Sequence, residues 1–317
     1  PAAPAETAAL AAPAKPAKPW RVCTYECLPN CPASARPGKP CIPPAKVWPY
    51  SSRTPWRAEL GERIVQAVVG TVASKECGGF ELFGDHVFCL KVMREKNAVA
   101  LSYGIEERDL WSEKMSNLFQ ISPRLYDCFI DPKTSPPISG KAPNGTGQGS
   151  CSGTSGHCYE MPYQAYRICL GHQKGRVEGR RYEVLRDHLR DRPRLSTYVK
   201  IDVEGSEWTV LEDLLQSPED QAKIRTLDME VHFGFGAASE KDRQQGTQQQ
   251  RLEREVRIME GLLEHFRATG TTLENYRQGW FPEKDCVKQQ CNEPAVHTRG
   301  GFGVPQFAVS FVNRELL

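Results

Sequence analysis

Residues 200–208 read Lys200-Ile201-Asp202-Val203-Glu204-Gly205-Ser206-Glu207-Trp208. The run from Ser196 to Val203 reads as a buried strand, and Trp208 to Leu215 as a helix. A strand thus enters two carboxylates and a glycine, then turns into a helix. Burying Asp202 and Glu204 without partners would cost several kcal/mol. They are expected to face a ligand, a cation or the N–H groups at the following helix start. An N-cap role for one of them is the alternative that needs no ligand.

Working outward, the same alternation of elements continues. Ala58 to Ser74 has an amphipathic helical pattern. Residues 98–103 form a short apolar strand that stops at Gly104, and Leu125 to Ile130 is a second strand ended by Asp131-Pro132. Residues 133–156 are rich in Pro, Gly, Ser and Thr and read as a surface insertion. Tyr166 to Leu170 is a third strand and Tyr182 to Leu189 a helix. Ile224 to His232 is a strand, Arg251 to Thr269 a long helix, and Thr271 to Tyr276 and Gln306 to Val312 the last two strands. Strands that alternate with helices imply parallel βαβ units, because parallel pairing requires a crossover. The expected architecture is α/β, a doubly wound, mostly parallel sheet of seven strands. Phe307 to Val312 is apolar almost throughout, which places it inside the sheet.

In such sheets ligands bind at the carboxyl ends of the strands, near the point where strand order reverses. Ser102 and Gly104 follow the first strand there, and Gly104 would let the backbone turn and approach a ligand. A turn glycine without a ligand is the plainer reading. An acid at the end of the second strand could accept hydrogen bonds from two ribose hydroxyls. Asp127 and Asp131 compete for that role. Alternation puts both on one face, and Asp131 is preferred for its place at the strand's end, although a turn-forming Asp before Pro explains it equally simply. His232 closes a strand and is the candidate general base, weighed against a satisfied histidine at a strand end. His157, beside the insertion, is a weaker candidate. No G-x-G-x-x-G follows the first strand, which disfavours a dinucleotide oxidoreductase, and neither a nucleophile elbow nor a P-loop is present.

Read as KIDVEGSEW, residues 200–208 resemble the signature of FkbM-type and related methyltransferase-like proteins. Leu101-Ser102-Tyr103-Gly104-Ile105, Tyr126-Asp127-Cys128-Phe129, Ile168-Cys169-Leu170-Gly171, Met229-Glu230-Val231-His232 and Val309-Ser310-Phe311-Val312-Asn313 agree in order. The resemblance covers about residues 60–317. It implies a Rossmann-like class I fold that binds S-adenosylmethionine. Gly104 would then lie by the methionine moiety, Asp127 or Asp131 by the ribose, and Asp202 with Glu204 along the pocket floor. The implied activity is methyl transfer to an acceptor, oxygen by preference, on a small molecule or glycan. The chain departs from the wider class in lacking a Gly-x-Gly-x-Gly loop, so a binding module that keeps the fold without turnover is the alternative.

Residues 1–57 differ in kind. Residues 1–19 are low-complexity Pro, Ala and Lys and are expected to be disordered. Residues 20–57 add Cys23, Cys27, Cys31 and Cys41 among prolines. The division expected is therefore a leader over 1–57 and a domain over 58–317. Twelve cysteines, with no histidine near the four in the leader, favour disulfides over a zinc site and an oxidising compartment, the Golgi lumen or outside the cell. No metal ligands are assigned. A net charge of +2 gives no reason to propose a nucleic acid. No apolar run approaches the ~20 residues of a membrane span. The chain begins with Pro, so any signal peptide or membrane anchor is expected upstream.

Overall fold

The pattern of side chains facing alternately up and down a strand decides how this sheet is covered. A computed structural model describes residues 55–69, 71–83, 85–93, 95, 97–142, 151, 158–233, 246–272 and 306–317. The expected disorder of residues 1–19, the four leader cysteines and His157 lie outside them.

The chain opens with α1 (Pro55–Val68) and α2 (Ser74–Cys77), then a hairpin of β1 (Phe80–Phe83) and β2 (His86–Cys89). Next come β3 (Val99–Tyr103), α3 (Leu110–Asn117), β4 (Pro123–Tyr126) and β5 (Gln164–Tyr166). β6 (Cys169–Leu170), β7 (Gly175–Val177) and β8 (Arg180–Glu183) make a small separate sheet. After α4 (Leu185–Leu189) follow β9 (Thr197–Ile201), α5 (Glu207–Leu215), α6 (Pro218–Lys223) and β10 (Ile224–His232). The described chain closes with α7 (Gln248–Leu262), β11 (Phe266–Thr271) and β12 (Gln306–Asn313). Seven strands form one sheet in the order β11-β12-β10-β9-β3-β4-β5. The pairings from β10 through β9, β3 and β4 to β5 are parallel. β12 is antiparallel to both its neighbours, β10 and β11. The architecture is thus α/β with a mostly parallel seven-stranded sheet, and β12 lies inside it as its composition requires. Among the described residues no helix is long and apolar enough to cross a membrane.

Odd-numbered positions of the central strands face one layer. Leu101, Tyr103, Val199, Ile201, Leu227, Met229, Val231, Val309 and Phe311 pack with residues of α1, α5 and α7, including Ile64, Val68, Leu211, Val256 and Met259. Ala100, Tyr198 and Val312 face the other layer, against Trp111 and Met115 of α3 and Phe88 of the hairpin. That second face also carries a buried polar row. Ser102, Lys200, Asp228 and Ser310 are register partners across β3, β9, β10 and β12. Each member of the row is buried, and each is matched. Ser102 Oγ donates to Asp109 Oδ2 at 2.6 Å, Trp111 Nε1 and Thr226 Oγ1 each donate to Asp228 Oδ2 at 3.2 Å, and Ser310 Oγ accepts from Val87 N at 2.9 Å.

Several boundaries differ from the sequence reading. The second strand ends at Tyr126, because the chain turns at Asp127 instead of running on to Ile130. Tyr166 to Leu170 is split between two sheets. Residues 180–183 are a strand before the short α4, not the start of a helix. The long helix stops at Leu262, and Phe266–Thr271 is a strand, so the expected strand beginning at Thr271 starts earlier; residues 273–276 lie outside the described set. Leu262, Leu263 and Phe266 satisfy a helical period, while Phe266, Ala268 and Gly270 satisfy a strand period, so local pattern cannot separate the two. The hairpin β1–β2 was not expected, although alternating residues around Gly84-Asp85 are a hairpin signal.

Three disulfides form among the described residues: Cys77–Cys89, Cys128–Cys169 and Cys151–Cys158. They fit an oxidising environment. They also constrain the remaining six cysteines, since Cys23, Cys27, Cys31, Cys41, Cys286 and Cys291 can pair only among themselves. Any bond from the leader to the domain must therefore end at Cys286 or Cys291. Non-reducing peptide mapping of protein taken from its native compartment should recover the three described bonds; free thiols at all twelve positions would refute the oxidising assignment.

Asp228 yields a pH test. Burial raises its pKa to about 7, and hydrogen bonds from Ser310, Trp111 and Thr226 pull it back only in part. The folded chain therefore keeps the proton that an unfolded chain releases near pH 4. This contribution is fully present below pH 4 and is lost as the pH rises through 7. Asp228→Asn has no such loss. The melting temperature of the variant minus that of the wild type should rise by roughly 5 °C between pH 5 and pH 8; a flat difference would show that the buried carboxyl does not titrate there.

Candidate functional site

Strand order reverses between β3 and β9, since β3 has β4 on one side and β9 on the other. Crossovers leave in opposite directions at that point and open a crevice at the carboxyl ends. A cleft of about 590 Å³ lies there, lined by residues that include Gly104, Glu106, Tyr126, Asp127, Phe129, Ile130, Asp202, Val203 and Glu204. The Cys128–Cys169 disulfide forms part of its wall. A smaller hollow of about 250 Å³, lined by residues that include Leu185, Val210 and Asp220, shares no lining residue with this cleft.

Gly104 is required by its own backbone neighbours. Its φ is +75°, and a Cβ there would stand 1.5 Å from the carbonyl oxygen of Asp202. The first strand's turn and the acid stretch after β9 are thus pressed together. Lys200 secures that junction. Its Nζ donates to the Gly104 carbonyl at 2.7 Å and to Asp202 Oδ2 at 3.1 Å. Burial works against its charge, but the Asp109 and Asp202 carboxylates outweigh that and hold its pKa above the usual lysine value. Ser102 does not line the cleft. It is buried beneath, where it fixes Asp109, the N-cap of α3.

The two acids after β4 have separate fates. Asp127 lines the cleft, yet both its oxygens are engaged by backbone. Oδ2 accepts from Ile105 N and Glu106 N at 3.1 and 3.0 Å, and Oδ1 from Phe129 N and Ile130 N at 2.9 and 3.1 Å. A carboxylate offers about four acceptor positions, so these bonds use all of them. Asp127 holds two cleft loops together instead of presenting an open acceptor. Asp131, the preferred acid in the sequence, is exposed and does not line the cleft. Its Oδ1 accepts from Lys133 N at 2.9 Å in a local turn, the role that the following proline suggests. The preference for Asp131 rested on a strand reaching Ile130, and that strand ends four residues earlier.

Asp202 and Glu204 both line the cleft. Glu204 adopts the left-handed region at φ 54°, which leaves its side chain 65% exposed. Burial against the cleft floor, with the charges of Asp202 and Glu207, raises its pKa although His232 opposes the shift. His232 is buried beside Glu204, with Nε2 3.8 Å from Glu204 Oε2. Its Nδ1 pairs with Glu207 Oε1 at 2.8 Å, and that oxygen also accepts from Val203 N at 3.0 Å. Burial alone would lower the imidazole pKa; the bond and charge of Glu207, with Glu204 and Glu230, push it up to about 9. An imidazole held in its protonated form by these carboxylates is a poor acceptor for a substrate proton.

Sequence reasoning missed Lys200, Asp109 and Glu207 as organisers of this corner. Glu207 opens α5, and its spacing from Val203 is a capping signal, but only the pairing of β9 with β10 brings it to His232. No family model matches the chain, and no curated protein or solved structure matches it significantly.

The Gly104 contact makes a direct expectation. Gly104→Ala should destabilise the chain by more than about 3 kcal/mol, because both a left-handed φ and a backbone clash must be relieved. Chemical denaturation would measure this, and a loss below about 1 kcal/mol would mean that the β3 and β9 ends separate easily.

Proposed function

We propose that this chain binds S-adenosylmethionine in the cleft at the ends of β3, β4 and β9 and transfers its methyl group to an oxygen acceptor. The observation that carries the reading is the placement of that cleft at the topological switch point, with Gly104 at its base and an acid stretch opposite. The sheet order, with antiparallel β12 set between β10 and β11, supports a class I methyltransferase arrangement. The resemblance of residues 200–208 to FkbM-type proteins supports it as well.

In this reading the apolar wall of Phe129, Ile130 and Val203 receives the adenine, and the methionine end lies towards Gly104. Asp127 orders the loops that surround the ribose. Contacts to the ribose hydroxyls would then fall to Glu106 or Glu107, which line the cleft. An acceptor oxygen attacks the sulfonium methyl carbon as the carbon–sulfur bond breaks, leaving a neutral thioether. Such a transfer needs in-line alignment more than strong acid–base assistance, so positioning supplies much of the rate. A small molecule or glycan in the secretory pathway, in the Golgi lumen or outside the cell, fits the disulfides as acceptor.

A second reading, a binding module without turnover, is favoured by one observation: Asp127 has its acceptor positions filled by backbone. Calorimetric titration with S-adenosylmethionine, followed by transfer assays with labelled cofactor, separates the two. Saturable binding is expected, weakened at least about tenfold by Ile130→Arg at unchanged melting temperature. Binding without transfer to any acceptor would leave the module reading. No binding at millimolar cofactor would remove both roles for the cofactor.

A further inference from the structure

The ends of β9 and β10 bring together three donors that are far apart in the sequence. One ligand atom each from Asp202, Glu204 and His232 lies within 4.8 Å of the other two. His232 is almost wholly buried, and its side chain is aimed into this group. Glu207 Oε1 engages Nδ1 at 2.8 Å, while Nε2 faces Glu204 Oε2 at 3.8 Å. A carboxylate that fixes one imidazole nitrogen, so that the other is directed at further carboxylates, is the way proteins orient metal-binding histidines.

Charge points the same way. Asp202, Glu204, Glu207 and Glu230 converge here; among the described residues Lys200 is the fixed cation set against them, and a bound metal ion would take the place of the proton on His232. Glu207 is fully buried, and its Oε2 has no hydrogen-bond partner among the described residues. A buried carboxylate with an unmatched oxygen is costly unless positive charge stands close by.

We propose that Asp202, Glu204 and His232 hold one divalent first-row cation at the inner edge of the cleft. One imidazole nitrogen and two carboxylate oxygens suit Mn²⁺, Fe²⁺ or Zn²⁺ better than the all-oxygen preference of Mg²⁺ or Ca²⁺. Bonds of about 2.0–2.2 Å require the donors to draw together. The Glu204 and Asp202 side chains are 65% and 21% exposed and can swing in, while Glu207 keeps the imidazole still. Because Asp202 and Glu204 line the cleft, the remaining coordination positions open into it. Under the methyl-transfer reading, on which this role rests but the site does not, an acceptor hydroxyl taking such a position would lose its proton more readily.

The test titrates Mn²⁺ into the whole chain without cofactor and follows the unbound ion by electron paramagnetic resonance. The expected result is one saturable site per chain, displaced by Zn²⁺ and weakened at least about tenfold by Glu204→Gln and by Asp202→Asn. Glu204→Gln is near-isosteric and exposed, so its melting temperature should stay close to wild type, whereas Asp202→Asn also takes a counter-charge from the buried Lys200 and should melt lower. They replace His232→Ala, which would strand the buried Glu207 and could unfold the chain. No saturable Mn²⁺ site, or one left unchanged by both variants, overturns the proposal. Cofactor titration on the same samples keeps the two readings apart. Mn²⁺ binding without S-adenosylmethionine binding upholds the cation site and removes the methyl-transfer reading; cofactor binding without Mn²⁺ binding removes the cation site.

Discussion

A single buried ammonium holds the carboxyl end of this sheet in shape. Lys200 sits next to the carboxyl end of β9, flanked in register by Ser102 and Asp228, and reaches forward to the Gly104 carbonyl and the Asp202 carboxylate. The Asp109 and Asp202 carboxylates both act on that charge, and without it the buried Asp109 would lose its counter-charge. With it, the turn after β3 and the turn after β9 are drawn to the separation that opens the cleft. Burial of the ammonium demands the carboxylates, and the carboxylates in turn demand the ammonium.

The two faces of the sheet divide the labour. The face against α1, α5 and α7 is apolar along its central strands and supplies the burial that holds the domain together. The face under α3 and the hairpin accepts a polar row, and its hydrogen bonds reach across to the covering elements through Asp109, Trp111 and Val87. Apolar packing tolerates small slips, whereas a hydrogen-bonded row has one register. The polar face therefore fixes how the strands align at the end where the cleft opens.

Much of this was legible in the sequence because it is local. The strand, acids, glycine and helix of residues 200–215 follow one another in the chain, and the alternation of elements over 98–312 carried the mostly parallel sheet. The acid after β4 was harder to read. Asp127 and Asp131 have the same parity and the same chemistry, and only the backbone N–H groups of Ile105 and Glu106, brought in from another strand, distinguish them. The meeting of His232 with Glu204 and Glu207 was likewise invisible, because it depends on which strand lies beside which. Disulfide pairing fails for the same reason. The missed hairpin is different: its turn signal was present but short, and two strands of four residues are easily passed over.

The Cys128–Cys169 and Cys151–Cys158 bonds are nested, the shorter loop of separation 7 lying wholly inside the longer one of separation 41. Nested loops need no threading, so either bond can close first and neither traps the chain in a knot. The outer bond removes about 4 kcal/mol of loop entropy from the unfolded ensemble on the chain-entropy account. It spends that restraint at the cleft wall rather than in the core. The same bond that staples the excursion between β4 and β6 thus makes the shape of the cleft a record of the redox history of the chain.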